Sequence, residues 1–210
     1  MPSWVSELHL LSIQSFILQG SQLQLLLSSH ITLSRQGTRT NPTLDHFVRS
    51  IASRNDWATY HGSDLKSEQG RNIPYVFLTQ PSGAGNFTSN TNSDSSKVRV
   101  YLQGAIHGNE PAADQGILAL LGKMDANQTW TASLLEKLDI LVLPRYNPDG
   151  VSYFQREFGA NIDPNREGTK LAKQQSRDIR SLVSSFDPHV VADMHEYGGS
   201  TVYGGIYRYG

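Results

Sequence analysis

A short apolar segment at residues 139–143, DILVL, most constrains the fold of this 210-residue chain. It has little polar alternation, which is typical of a strand covered on both faces, as in parallel sheets. Other strand-like segments are found at residues 73–79, 97–103 and 189–193, with helical patterns between them. The order strand, helix, strand, loop, helix, strand predicts an α/β fold. We expect a mostly parallel or mixed central sheet flanked by helices.

The first 40 residues are predicted to be an N-terminal extension, either irregular or a degraded signal sequence, ahead of a domain that starts near residue 41. Residues 10–27 are apolar but broken by Gln, Ser and Gly, so no membrane span is expected. The glycosylation sequons at Asn86 and Asn127 favour a secreted protein or one in the secretory pathway.

Composition limits the classes of partner and of metal ligand. The formal net charge of -1 gives no basic excess for binding nucleic acid. The chain contains no cysteine, which excludes disulfides, thiolate metal sites and a cysteine nucleophile. Any bound metal must therefore be held by His, Asp or Glu.

The motif HGNE at residues 107–110 follows a predicted strand and precedes a helical pattern that starts at Pro111. A His and a Glu three residues apart can converge on one ion where the chain turns at a strand end. Sites in open α/β sheets gather at the carboxyl ends of strands. The glycines at 104 and 108 allow a tight turn there.

His195 follows another apolar strand and has Asp193 and Glu196 beside it. Two histidines and one glutamate are a set that suits zinc and leaves a fourth position open for water. Either neighbouring carboxylate is a candidate to orient the His195 ring.

A polar loop after the 139–143 strand contains NPDG at residues 147–150 and two arginines, Arg156 and Arg166. NPDG alone predicts a turn. The planar guanidinium of arginine matches a carboxylate with two hydrogen bonds and stays charged. An exopeptidase acting at C-termini needs such a match, and it needs a cation near the scissile carbonyl oxygen.

Together these motifs resemble the zinc carboxypeptidases of the funnelin type, peptidase family M14. The resemblance runs from about Ile73 to Tyr203. It includes HGNE, NPDG, the two arginines ten residues apart, NxDxNR at residues 161–166 and His195, in the family's order. The wording of the segments around NPDG and His195 is similar to fungal or microbial members. The resemblance implies a hydrolase that removes C-terminal residues from peptides or proteins, with one zinc ion per chain.

The resemblance also implies roles for individual residues. It implies three zinc ligands, His107, Glu110 and His195. Arg156 would polarise the scissile carbonyl, and Asn165 and Arg166 would hold the substrate's C-terminal carboxylate. Asp163 is interpreted as a loop-shaping residue, and Arg145 as a neighbour of the site without a chemical role.

In the family, the general-base glutamate, a substrate-capping tyrosine and the specificity pocket come well downstream of the third ligand, whereas this chain ends fifteen residues after His195. We therefore expect residues 41–210 to form a partial catalytic domain that is truncated at its C-terminus and lacks the base. Glu196 and Glu157 are the local carboxylates considered as a replacement. On a continuing strand, the Glu196 side chain would face away from that of His195.

Two other functions are compatible with the same motifs. A non-catalytic module would keep zinc and peptide recognition but cleave nothing. A zinc amidohydrolase acting on N-acyl amino acids would share the metal layout, although the NPDG and NxDxNR context favours peptides.

Overall fold

A computed structural model describes residues 41–81, 97–159 and 161–196. The predicted N-terminal extension, the Asn86 sequon and the segment after residue 196 lie outside these ranges. Within them, no helix combines the length and apolar character needed to cross a membrane.

In the second half of the described chain, helices separate successive strands. The helices are α1 (Asn41–Arg54), α2 (Pro111–Ala126), α3 (Gln128–Leu135), α4 (Pro148–Tyr153) and α5 (Gln174–Phe186), with a 3-10 helix at Pro164–Arg166. The strands are β1 (Ala58–His61), β2 (Tyr75–Leu78), β3 (Val98–Gly104), β4 (Leu138–Leu143) and β5 (Val190–Met194).

The five strands form one mixed sheet in the order β1-β2-β4-β3-β5. The pairs β1–β2 and β2–β4 are antiparallel, whereas β3 is parallel to both β4 and β5. The predicted α/β fold with a mixed central sheet is confirmed. The parallel strands β4, β3 and β5 end at the same edge of the sheet, and the loops that follow them meet there.

Strand β4 shows why both faces of the sheet are covered. Its Ile140 and Val142 side chains join a buried cluster with residues of α1 and α2, including Val48 and Leu121. The alternate residues, Leu141 and Leu143, join a second buried cluster on the other face. That cluster contains Ile179 and Phe186 of α5 and Phe158 of the following loop. The apolar run at 139–143 is therefore buried on both sides, as its lack of polar alternation predicts.

Local capping explains where two of the helices begin. Helix α4 starts within the polar loop that contains NPDG, because Pro148 fits the first turn and the Asn147 side chain accepts a hydrogen bond from the Gly150 N–H. At the start of α3, the side chain of Asn127 accepts a hydrogen bond from the Trp130 N–H at 3.1 Å. Asn127 itself is exposed, as its sequon requires.

Candidate metal centre and substrate loop

The three predicted metal ligands come together at the carboxyl edge of the parallel strands. His107 and Glu110 lie in the turn between β3 and α2, and His195 directly follows β5, the parallel neighbour of β3. One ligand atom from each residue lies within 4.8 Å of the others. Glu110 and His195 are 85 positions apart in sequence, yet their side chains meet because the strands that precede them are adjacent and parallel.

Both histidines point the same ring atom at the same carboxylate. His107 Nδ1 is 2.7 Å from Glu110 Oε1, and His195 Nδ1 is 2.8 Å from Glu110 Oε2. The Arg156 Nη1 atom lies 3.1 Å from His107 Nδ1. Because a guanidinium nitrogen can only donate, His107 Nδ1 is assigned as the acceptor. Two acceptor atoms at this separation require a cation or a proton between them. Two imidazole nitrogens and one carboxylate are a donor set that fits zinc.

Each candidate ligand histidine has a second carboxylate on the far side of its ring. His107 Nε2 is 3.1 Å from Asp163 Oδ1, and His195 Nε2 is 3.1 Å from Asp193 Oδ2. A carboxylate that accepts from Nε2–H fixes the tautomer in which Nδ1 carries a lone pair, and it raises the basicity of the ring. Of the two candidates, Asp193 and Glu196, the structure places Asp193 at the His195 Nε2 atom, and it adds the pair of His107 with Asp163.

The carboxylates of the centre favour their ionised forms. Burial raises the pKa of Glu110, but favourable contacts, first among them the hydrogen bond from the Glu196 N–H, outweigh it and leave the pKa below its usual value. Burial also raises the pKa of Asp163, and hydrogen bonds from the Asn165 N–H, Arg156 and His107 outweigh it in the same way. Ionised carboxylates are what a metal site and its supporting contacts need.

The Arg156 side chain borders the three ligands. Its Nε and Nη2 atoms donate to Asp163 Oδ2 at 3.1 and 3.0 Å, and its Nη1 lies 3.5 Å from Glu110 Oε1. The side chain retains 37% of its exposure, so it is held at the centre and is still accessible from solvent. The structure therefore brings Arg156, the residue predicted to polarise the scissile carbonyl, to the three candidate ligands.

The NPDG motif organises the loop that carries Arg156. The buried Asn147 side chain donates from Nδ2 to the Glu157 carbonyl at 3.1 Å and to the Arg156 carbonyl at 3.4 Å. The HGNE turn packs directly on this motif, since a Cβ added to Gly108 would lie 1.9 Å from the backbone carbon of Gly150. A glycine at position 108 thus allows the backbones of the HGNE turn and of the NPDG motif to approach closely.

Asp149, the acidic residue of NPDG, joins a further loop to the same structure. Its fully buried carboxylate accepts hydrogen bonds from the Ser67 hydroxyl at 2.7 Å, the Gln69 N–H at 3.0 Å and Arg71 at 2.6 Å. Taken alone, the NPDG sequence predicts only a turn. The pairing with residues about eighty positions earlier carries no local sequence signal.

The predicted carboxylate-binding residues lie in the 3-10 helix that follows Asp163. The Asn165 N–H donates to Asp163 Oδ1 at 2.8 Å, which connects this helix to the residue that also contacts His107. Asn165 and Arg166 are both exposed. The structure therefore places these two residues directly after Asp163, with their side chains accessible to solvent.

The region that contains the candidate ligands matches a known protein family. The family model described as zinc carboxypeptidase matches residues 45–200. The chain belongs to the zinc carboxypeptidase family. The match includes all six residues predicted for the metal and the substrate, and it favours neither the non-catalytic module nor the amidohydrolase.

Curated relatives of this zinc carboxypeptidase chain come from fungi. It is 54% identical over 168 residues to probable carboxypeptidase 2 of Arthroderma benhamiae, a match that covers 80% of this chain and 31% of the relative. It is 52% identical over 168 residues to carboxypeptidase 2 of Trichophyton tonsurans, with 80% of this chain and 30% of the relative covered. The chain thus spans about a third of the length of the curated relatives it matches.

Solved structures show the same fold at low sequence identity. The carboxypeptidase A of Helicoverpa armigera matches with a TM-score of 0.62 and 20% identity, over 86% of this chain and 54% of that one. A metallo-carboxypeptidase from Burkholderia cenocepacia matches with a TM-score of 0.62 and 16% identity, over 75% of this chain and 41% of that one.

Proposed function

We propose that the protein is a zinc-dependent carboxypeptidase that removes C-terminal residues from peptides. The observation that carries this proposal is the convergence of His107, Glu110 and His195 within 4.8 Å, with the Arg156 guanidinium 3.5 Å from the Glu110 carboxylate. Membership of the zinc carboxypeptidase family supports it. Secretion is part of the same proposal, supported by the exposed Asn127 sequon, and detection of the protein in culture medium tests it.

The proposed ligands would hold one zinc ion through the two Nδ1 atoms and the Glu110 carboxylate. Zinc in such a site lowers the pKa of a bound water to about 7 and polarises a carbonyl group. Asp163 and Asp193 hold the two imidazole rings in the tautomer that presents Nδ1.

The remaining proposed roles belong to the substrate loop. Arg156 donates to the oxygen of the scissile carbonyl and stabilises the negative charge that develops on it. Asn165 and Arg166 bind the terminal carboxylate, and Arg166 offers the planar pair of donors that such a group matches. Asp163 contacts both Arg156 and His107, and it thereby holds the positive charge of Arg156 at a fixed distance from the proposed zinc ligand His107.

Zinc analysis and peptide assays on the purified chain test the proposal. We expect about one zinc ion per chain, because the three donors form a single site. A dipeptide with a blocked N-terminus and a free C-terminus should be recognised and cleaved. The same peptide with an amidated C-terminus is the control and should be neither bound nor cleaved, because it lacks the carboxylate for Asn165 and Arg166.

Other outcomes identify the competing functions. Zinc and peptide binding without turnover would support a binding module. Turnover of an N-acyl amino acid but not of the dipeptide would support an amidohydrolase. Hydrolysis of the dipeptide, the outcome expected under the proposal, would mean that a carboxylate of this chain acts in place of the base that the family resemblance puts downstream. A folded chain that takes up no zinc would refute the proposal.

Substituting Arg156 by alanine is expected to lower kcat/KM for the dipeptide by about 10²–10³-fold, the usual loss when one oxyanion donor is removed. Zinc content should stay near that of the unsubstituted chain, because Arg156 is not a ligand. Arg180→Ala, at an exposed arginine of α5, is the matched control and should leave kcat/KM unchanged. An unchanged kcat/KM for Arg156→Ala would exclude the proposed role.

A further inference from the structure

Helix α2 begins at the metal centre in an unusual way. Glu110 occupies its N-cap position, yet the Glu110 side chain makes no capping hydrogen bond to the helix. Its two carboxylate oxygens face His107 and His195 instead. An N-cap side chain normally accepts from one of the first helical N–H groups. The side chain that should cap α2 is thus committed to the metal centre.

Glu196 supplies the missing acceptor from the other side of the site. Its Oε2 atom accepts from the N–H of Ala112 at 2.8 Å. Ala112 is the second residue of α2, and the preceding Pro111 has no N–H. A carboxylate at this end of a 16-residue helix is also favoured by the helix dipole.

A second hydrogen bond runs in the opposite direction. The backbone N–H of Glu196 donates to Glu110 Oε2 at 3.1 Å, and the same oxygen is 2.8 Å from His195 Nδ1. The two hydrogen bonds are therefore reciprocal. The Glu196 side chain accepts from the α2 backbone, and the Glu110 side chain accepts from the Glu196 backbone. This arrangement matches the logic of a capping box, with its two halves 86 residues apart.

The segment that carries His195 has limited support from the sheet. Strand β5 pairs only with β3 among the described residues, and that pairing ends at Met194, opposite Gly104. Val191 and Met194 of this strand are 58% and 41% exposed. His195 lies between the last paired residue and Glu196.

We infer that Glu196 is a positioning residue for the metal centre. Its two hydrogen bonds to the start of α2 fix the distance between the backbone that carries His195 and the backbone that carries Glu110. This inference rests on the proposed zinc site and deepens it. It also assigns Glu196 a task other than that of a replacement base, since its Oε2 is engaged by the Ala112 N–H.

Metal affinity, measured apart from activity, tests this role. The full chain and its Glu196→Ala variant are stripped of metal, and zinc binding is measured by competition with a chelator. We expect Glu196→Ala to weaken zinc binding by about 10–100-fold, the usual effect of removing a group that supports a ligand. The absorption spectrum of the cobalt-substituted protein should change as well, because the position of His195 changes.

Two further variants separate positioning from general stability. Glu196→Gln keeps an oxygen acceptor for the Ala112 N–H, so its zinc affinity should recover most of the loss. If Glu196→Ala does not fold, Glu196→Ser takes its place, because a serine side chain is polar but too short to reach that N–H, and the same weakening of zinc binding is expected. Glu136→Ala, at an exposed glutamate beyond α3, is the control and should bind zinc as the unsubstituted chain does. Unchanged zinc affinity and an unchanged cobalt spectrum in Glu196→Ala would overturn the inference alone. Lack of zinc binding by the unsubstituted chain would overturn the proposed function, and the inference with it.

Discussion

Replacing His107 by alanine is expected to remove zinc binding and, with it, peptide hydrolysis. His107 is only 1% exposed, and its Nδ1 atom lies 2.7 Å from the Glu110 carboxylate that would share the ion. Loss of a group that merely supports a ligand costs about 10–100-fold in metal affinity, so loss of a ligand should exceed about 100-fold. Chelator competition on the purified variant measures this change.

His46→Ala is the matched control for the His107 substitution. His46 is exposed on α1, far in sequence from HGNE, and its removal should leave zinc affinity unchanged. Thermal unfolding of the metal-free proteins shows whether His107→Ala retains the fold. A folded His107→Ala variant that binds zinc as tightly as the unsubstituted chain would show that the ligand assignment is incorrect.

The sequence predicts much of this site because strand ends are visible in it. HGNE follows one apolar strand and His195 follows another, and the strand–helix order places both strands in one sheet. Strand β3 is indeed paired in parallel with β5, which brings the two motifs to one edge. The positions of the candidate ligands therefore follow from strand order and from which residues come directly after the strands.

The contacts that support the site are less visible in the sequence. Asp163 was interpreted as a loop-shaping residue, and it does cap the 3-10 helix, but it also contacts His107 and Arg156. The His107 partner is 56 residues away in the chain, and no local periodicity encodes that distance. The buried Asn147 holds the start of this loop, because its side chain donates to the carbonyls of Arg156 and Glu157.

Glu196 shows how an element boundary changes a prediction. Strand alternation placed its side chain on the face opposite to that of His195. Strand β5 ends at Met194, so alternation no longer applies to the two residues that follow. The backbone turns toward α2 there, and the Glu196 carboxylate reaches the Ala112 N–H. Boundaries of elements are the least certain part of a prediction from sequence, and this side chain lies directly after one.

Replacing Arg145 by alanine is expected to destabilise the fold by about 3–5 kcal/mol, the usual cost of leaving one partner of a buried ion pair alone. Arg145 Nε and Nη2 donate to Asp114 Oδ2 at 2.9 and 2.7 Å, and the two side chains are 3% and 1% exposed. The pair joins the end of β4 to the first turn of α2, four residues after Glu110. Urea unfolding of the metal-free chain measures the change.

The double variant Asp114→Leu with Arg145→Met shows whether the loss of stability in Arg145→Ala comes from an unpaired buried charge or from lost packing. Removing both charged groups leaves no buried charge without a partner, so the double variant should lose clearly less stability than Arg145→Ala. Arg54→Ala is the control at a more exposed ion pair, that of Arg54 with Asp125, and should cost no more than about 1 kcal/mol. If Arg145→Ala unfolds at the same urea concentration as the unsubstituted chain, the pair does not stabilise the fold. Helix α2 would then hold Glu110 in place by its apolar face alone, through residues such as Ile117 and Leu121.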